Sequence, residues 1–258
     1  MNFIFISPNF PHTYWQFCDR LKRNGVNVLG IGDAAYDALE EPLRNALTEY
    51  YRVDICSYDA ITDSRCEPLF ESMTVWPPSI ADIVNRDLDL SYYTCAAVPE
   101  PLRELGRRAL KAFKVRSRFV HLEFFRMTKA RPGLGEVGDF AALEVNMRPA
   151  GGYTPDMMNF AHSTDVYQIW ADMVTEDARL LPDSGGHHWC VYASRKDWHR
   201  YAHSHEEILA RYGERIVMCE RMPELMWATM GCQMYTAHAC SEAEVREFIA
   251  LIHEQEAQ

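Results

Sequence analysis

In LEVNMRP, residues 143–149, an acid, an amide and a guanidinium fall on every second position: Glu144, Asn146 and Arg148 alternate with Leu143, Val145 and Met147. Alternation with period two marks a strand with one face in the core and the other toward water or a cavity, so the odd positions are expected to face inward. Upstream, FVHLEFF repeats the pattern, with Val120, Leu122 and Phe124 on one face and His121 and Glu123 on the other. Pairing of the two strands can bring Glu123 beside Glu144 and Asn146. Neighbouring carboxylates repel unless a proton or a cation neutralises them. Two Glu with an amide oxygen suit a hard divalent ion such as Mg²⁺, phosphate oxygens and water completing its shell. Arg148 adds a planar fork that matches a phosphate or a carboxylate. The set suits the floor of a magnesium-nucleotide site, against the plainer reading of each strand as a solvated sheet face.

The elements that must position these groups are legible along the chain. Its 258 residues, 48% of them hydrophobic, can build one large domain or two modest ones. NFIFIS reads as a buried strand, PHTYWQFCDRLKRNG as an amphipathic helix closed by Gly25, and VNVLGIG as the next strand, a β-α-β start of α/β type. From about Asp54 the texture changes. ICSYDAITD and PLFESMTVWP predict a hairpin, PEPLRELGRRALKAF a helix with Pro at its start, and SRFVHLEFFRM a strong strand. After LEVNMRP come STDVYQIWADMV, a helix with a Ser/Thr start, then strands in HHWCVYAS, RIVMCERM and CQMYTAHA, and a closing helix, SEAEVREFIALIH. The expected division is residues 1–53 and 54–258.

Several function classes recede. No run of about 18 apolar residues offers a membrane span, and MNFIFISPNF lacks the basic flank and cleavage site of a signal peptide, so a cytoplasmic protein is expected. A net charge of -11 argues against nucleic acid and for small-molecule chemistry. The eight cysteines are scattered without a C-x-x-C pair and read as free buried thiols. RPGLGEVGD carries Gly133, Gly135 and Gly138 in dinucleotide-turn spacing, but a strand rather than a helix follows, so the loop reads as a hairpin turn. His199, His203 and His205 in WHRYAHSHEE could take a transition metal, against the plainer reading of a polar loop before helix EEILARYG; His187-His188 is a weaker pair. Tyr92, Tyr93 and Asp59 could line a cleft, although packed tyrosines and a surface-turn aspartate are the commoner explanation.

At Glu123 in HLEFF and at Glu144, Asn146 and Arg148 in LEVNMRP the chain resembles the ATP-grasp ligases, the family of biotin carboxylase, D-alanine–D-alanine ligase and the large chain of carbamoyl-phosphate synthase. The PAGG that follows and the STDVYQIWADMV helix resemble the family too, and the opening β-α-β unit resembles part of its pre-ATP-grasp domain. The resemblance implies a partial pre-ATP-grasp unit packed on the antiparallel-sheet core subdomain of an ATP-grasp fold, an α/β and α+β architecture. It further implies that Glu123, Glu144 and Asn146 hold Mg²⁺ bridging the phosphates of ATP, and that Arg148 steadies an acyl phosphate formed from a small-molecule carboxylate and captured by an amine.

One departure bears on activity. The family places a small lid subdomain, with lysines for the phosphates, between the first domain and the metal-bearing strands. Here YYRVDICSYDA runs straight across, and the lysines are Lys22, Lys111, Lys114, Lys129 and Lys196, none between residues 23 and 110. An internal deletion with impaired ligase activity is expected. The alternative is a non-catalytic binding or dimerisation remnant, and a homodimer is compatible with either.

Overall fold

The structure, a computed structural model, describes residues 1–9, 12–76, 83–84, 86–130 and 135–256. Gly133 of the glycine-rich loop lies outside them. The chain forms two compact units, Met1–Ile55 with Phe125–Leu143, and Cys56–Phe124 with Glu144–Gln258.

In the first unit, strands β1 (Asn2–Ile6), β2 (Asn27–Gly32) and β3 (Glu49–Arg52) make a parallel sheet with β2 in the centre. Helix α1 (Trp15–Arg23) follows β1. Gly25 sits at φ +76, and the amides of Gly25 and Val26 reach back to the carbonyls of Lys22 (2.9 Å) and Leu21 (3.1 Å). This is the double closure that a left-handed residue after the helix end permits. Cys18, Val28, Leu43 and Leu47 pack together beneath it, with a second short helix α2 (Glu41–Ala46) contributing Leu43. NFIFIS forms a strand but not a buried one. β1 is an edge strand, and Phe3, Ile4 and Ile6 are exposed. The returning segment of this unit places Phe125 and Met127 in one cluster with Ile31, Val53, Ala141 and Leu143.

The second sheet has eight strands in the order β10-β11-β9-β6-β5-β4-β7-β8. They are β4 (Asp54–Thr62), β5 (Pro68–Trp76), β6 (Ser91–Thr94), β7 (Arg118–Arg126), β8 (Phe140–Asn146), β9 (Trp189–Arg195), β10 (Ile216–Arg221) and β11 (Gln233–Ala239). Pairing is antiparallel from β5 through β6, β9 and β11 to β10. Helix α3 (Glu100–Ala112) presses Gly106 against fully buried Tyr58, where a Cβ would lie 2.6 Å from the ring. Helix α4 (Thr154–His162) has no strong period in its sequence and was not foreseen. Six of its nine residues are buried and the other three half-buried, and it divides its methionines between two clusters, Met158 with Ile61, Phe119 and Val166, and Met157 with Tyr92, Tyr192 and Met234.

Helix α5 (Val166–Glu176) starts on Asp165, whose carboxylate accepts from the amides of Tyr167 and Gln168, both at 3.0 Å. The expected Ser/Thr start is displaced because Ser163, at φ 46, is spent closing α4, and an aspartate also complements the positive end of the helix dipole. Among the described residues no helix is long and apolar enough to cross a membrane. Of the eight cysteines, all free, Cys240 is exposed and Cys219 half-buried, against the expectation that all are buried.

Candidate metal and nucleotide site

β7 and β8 are neighbours in the sheet, joined at their turn by Met127 and Asp139 through a 2.8 Å backbone bond. Of the glycine-rich loop, residues 135–139 are described, and a strand, β8, follows them. Glu123 lies on β7 and is 25% exposed. Glu144 and Asn146 lie on β8, Glu144 exposed and Asn146 half-buried. The alternation holds along β8, with Leu143 and Val145 half-buried, and stops where the strand stops. Met147, expected inside, is 41% exposed because β8 ends at Asn146.

Two groups on β8 lack protein partners among the described residues. No hydrogen bond or ion pair engages the Glu144 carboxylate, and the Asn146 Nδ2 is shielded from water without a partner. A buried amide left unpaired costs about 1–3 kcal/mol, so such a group is characteristic of a place where a ligand completes the bonding. The Glu144 carboxylate and the Asn146 amide, which a half-turn of its side chain presents through Oδ1, share one face of β8 and offer hard oxygen donors of the kind Mg²⁺ takes. Arg148 is exposed and donates from Nη1 to the carbonyl of Pro149 at 2.9 Å. No ion pair joins it to Glu123 or Glu144 among the described residues.

Glu123 is instead engaged by His121 on its own face of β7. His121 Nε2 lies 3.3 Å from Glu123 Oε1, and His121 Nδ1 lies 2.7 Å from Asp59 Oδ1. Ser57 donates to Asp59 Oδ2 at 2.7 Å. Ser57 and Asp59 are wholly buried on β4, and His121 is buried on β7. Burial alone would lower the proton affinity of His121, but the charge and hydrogen bond of Asp59, then those of Glu123, outweigh it and raise its pKa from 6.5 to about 10. Both ring nitrogens therefore carry protons at neutral pH, Nδ1 donating to Asp59 and Nε2 lying at ion-pair distance from Glu123.

Asp59 is thus no surface-turn residue: it is 0% exposed, in the middle of a strand. DICSYDA carries the same period as LEVNMRP and places Ser57 and Asp59 on one face, which is the sequence signal for this network. At the turn end of the β7–β8 hairpin the odd-numbered side chains Phe125, Met127, Ala141 and Leu143 share a cluster. Strict alternation from there gives Glu123 the same side as Leu143 and turns Glu144 the other way. The contact made by Glu123 is the one to His121.

The remaining sequence candidates resolve into structural roles. His199 bonds Asp89 and Asp87, both at 3.1 Å, His203 bonds Glu254 at 3.1 Å, and His205 bonds the hydroxyl of Tyr235 at 2.8 Å. Among the described residues no group of three or more His, Cys, Asp and Glu side chains could hold a metal ion. His187 meets His162, and His188 stacks on His238. Tyr92 stacks between Trp76 and Tyr192, at 4.3 Å and 4.8 Å, while buried Tyr93 reaches Glu242 at 3.4 Å.

No protein-family model matches the sequence, and no curated protein does. Solved structures do. Phosphoribosylglycinamide synthetase from Anaerococcus prevotii superposes with a TM-score of 0.55 at 10% identity, over 79% of this chain and 52% of that one. The ATPase subunit of phosphoribosylaminoimidazole carboxylase from Aquifex aeolicus gives 0.50 at 10% identity, over 98% and 99%. An ADP complex of N5-carboxyaminoimidazole ribonucleotide synthetase gives 0.50 at 13% identity, over 85% and 58%. The chain thus spans about half the length of the first of these, 52%. At such identities the likeness is one of fold. These neighbours are ATP-grasp enzymes, and a parallel three-stranded unit together with an eight-stranded sheet and its helices is what this chain shares with them: its fold is the ATP-grasp fold.

Proposed function

We propose that this chain is the core of an ATP- and Mg²⁺-dependent carboxylate–amine ligase acting through an acyl phosphate, and that alone it turns over poorly. The observation that carries the reading is the acid on β7 followed by Glu-x-Asn on the adjacent β8, in a fold shared with a synthetase described as an ADP complex. Glu144 and Asn146, on one face of β8, are the ion's ligands, and Asn146 gains in the complex the partner it lacks; Glu123, turned to the other face, stays with His121. Bound magnesium supplies charge neutralisation on the triphosphate. Arg148 leaves the carbonyl of its neighbour for the acyl phosphate, where its fork is bidentate. The substrates are a small carboxylate and an amine.

Poor turnover follows from what surrounds the site. Phosphoryl transfer depends on positioning and on positive charge around the phosphates. Of the five lysines, Lys22 is spent on the carbonyls of Asn45 and Leu47, Lys111 on Glu67, and Lys196, 1% exposed, on Asp87. Each missing charged hydrogen bond to the nucleotide forfeits about 1.5–3 kcal/mol, enough in sum to carry ATP binding into the millimolar range. The engagement of these three of the five lysines favours the second reading, a non-catalytic binding or dimerisation remnant. ADP release from magnesium-ATP over a panel of carboxylic acids, with hydroxylamine to trap acyl phosphate, tests both. Slow release abolished by Glu144→Ala supports the ligase core, and no release with retained magnesium-ATP binding supports the remnant. Turnover at ordinary enzymic rates would overturn the impairment, and binding or turnover indifferent to Glu144→Ala would overturn the site.

A further inference from the structure

We propose that a cavity beside strand β5 binds a small zwitterion of the α-amino-acid class, with its carboxylate on Arg179 and its ammonium on Asp183. The site stands apart from Glu144 and Asn146, because β5 and β8 are separated in the sheet by β4 and β7.

The cavity measures about 280 Å³, at the small end of the roughly 300–1,000 Å³ of ligand pockets, so it suits a metabolite of few atoms and not a nucleotide. It opens where β5 outruns its neighbour. β6 ends at Thr94 and registers with β5 at Thr74 and Val75, so the wall formed by Leu69, Phe70 and Glu71 lies beyond that pairing. Arg103 of α3, His162 at the end of α4, and the segment carrying Arg179, Asp183 and His187 close the other sides. Most of the charge around the cavity is already matched. Glu71 accepts two bonds from Arg107, at 2.9 and 2.6 Å, and Arg103 donates to Glu100 at 2.7 Å. Burial and the neighbouring His187 keep His162 neutral near pH 7.

Arg179 and Asp183 are left over. Neither forms an ion pair among the described residues, with the other or with a third group. Arg179 donates from Nε to the carbonyl of Leu181 at 2.8 Å and from Nη2 to Thr164 Oγ1 at 3.4 Å and the carbonyl of Pro182 at 3.5 Å, while its Nη1 has no hydrogen bond among the described residues. Asp183 accepts from the amide of Gly185 at 3.0 Å, a bond that holds its carboxyl below the usual range and so ionised. Opposite charges that line one cavity without pairing form a dipole, and its complement carries both charges on one small frame. A simple anion would meet Asp183 and a simple cation would meet Arg179, each a like-charge encounter that selects against it. The planar fork of an arginine suits the carboxylate end. The segment is also held in place before any ligand arrives: the amides of Leu180 and Leu181 bond Asp172 at 3.1 and 3.3 Å, Ser184 Oγ bonds the carbonyl of Ser163 at 2.8 Å, and the amide of His188 bonds the carbonyl of Ala161 at 2.7 Å. Such anchoring lowers the ordering cost of binding.

The test is NMR titration of the full chain at pH 7 with glycine, acetate and methylammonium, following the imidazole signals of His162 and His187, which line the cavity. Glycine should saturate at a concentration about 10-fold or more below that of either single-charge probe, the effect of one added charged hydrogen bond. Asp183→Asn keeps an acceptor for the Gly185 amide but not the charge, and should bring glycine to the level of acetate. Acetate binding as tightly as glycine would make this a plain anion site, and methylammonium binding as tightly would make it a plain cation site. Either result overturns the proposal, as do glycine affinity unchanged in Asp183→Asn and histidine signals that no probe moves. Where Asp183→Asn does not fold, the comparison of the three probes on the wild-type chain decides alone.

Discussion

Replacing His121 by Ala removes the cationic partner of Asp59, which is 0% exposed and would keep only the 2.7 Å bond from Ser57. Breaking a buried ion pair from one side costs about 3–5 kcal/mol, because the remaining charge stays buried without its counter-charge. An independent route gives a similar size. The rise of the His121 pKa from 6.5 to about 10, at about 1.36 kcal/mol per tenfold change in proton affinity, corresponds to on the order of 5 kcal/mol. At about 2–4 °C per kcal/mol for a chain of this length, the melting temperature should fall by about 6–20 °C. The double variant Asp59→Leu/His121→Leu removes both charges and should be far closer to wild type than His121→Ala, since apolar replacement of a buried pair is often neutral.

The sign of the pH dependence is fixed. The folded chain holds the His121 proton more tightly than the unfolded chain, so this stabilisation is complete below about pH 6.5 and is lost as pH rises through about 10. Urea denaturation at pH 7 and across that window measures both effects. A His121→Ala variant within about 0.5 kcal/mol of wild type, as for a surface substitution, or a double variant less stable than the single one, would refute the reasoning.

Gly106→Ala should destabilise the chain although alanine is ordinarily the better helix former by about 1 kcal/mol, because the new methyl would meet the Tyr58 ring at 2.6 Å. Thermal melting above wild type would contradict this. His162, buried between Ser72 and His187, has its pKa lowered to about 4, first by burial and then by the charge of His187. The unfolded chain binds that proton first, so stability should fall as pH drops from about 6.5 to about 4, and His162→Gln should flatten this limb in denaturant titrations. An unchanged acid limb would assign it to other groups.

The strands and helices with strong periods were legible: the β-α-β opening with its Gly25 closure, the 54–76 hairpin, β7, β8 and the closing helix all lie where their patterns place them. Elements carried by tertiary contacts were not. Helix α4 has no exposed residue, so no amphipathic period announces it, and the short β3 and β6 have too few residues to show alternation. NFIFIS shows the converse limit. An apolar run reports what a strand could bury, whereas its place at a sheet edge decides what it does bury.

By itself the sequence determined that Glu123 lies on a strand shared with His121 and that Glu144 and Asn146 lie together on the next, because side-chain alternation is a local property of the backbone. Which of these groups meet is a matter of strand neighbours and register, settled between residues 62 apart for Asp59 and His121. Only the tertiary structure placed β4 beside β7, and so made Asp59 the buried counter-charge of a histidine that holds Glu123, a contact that no spacing along the chain encodes.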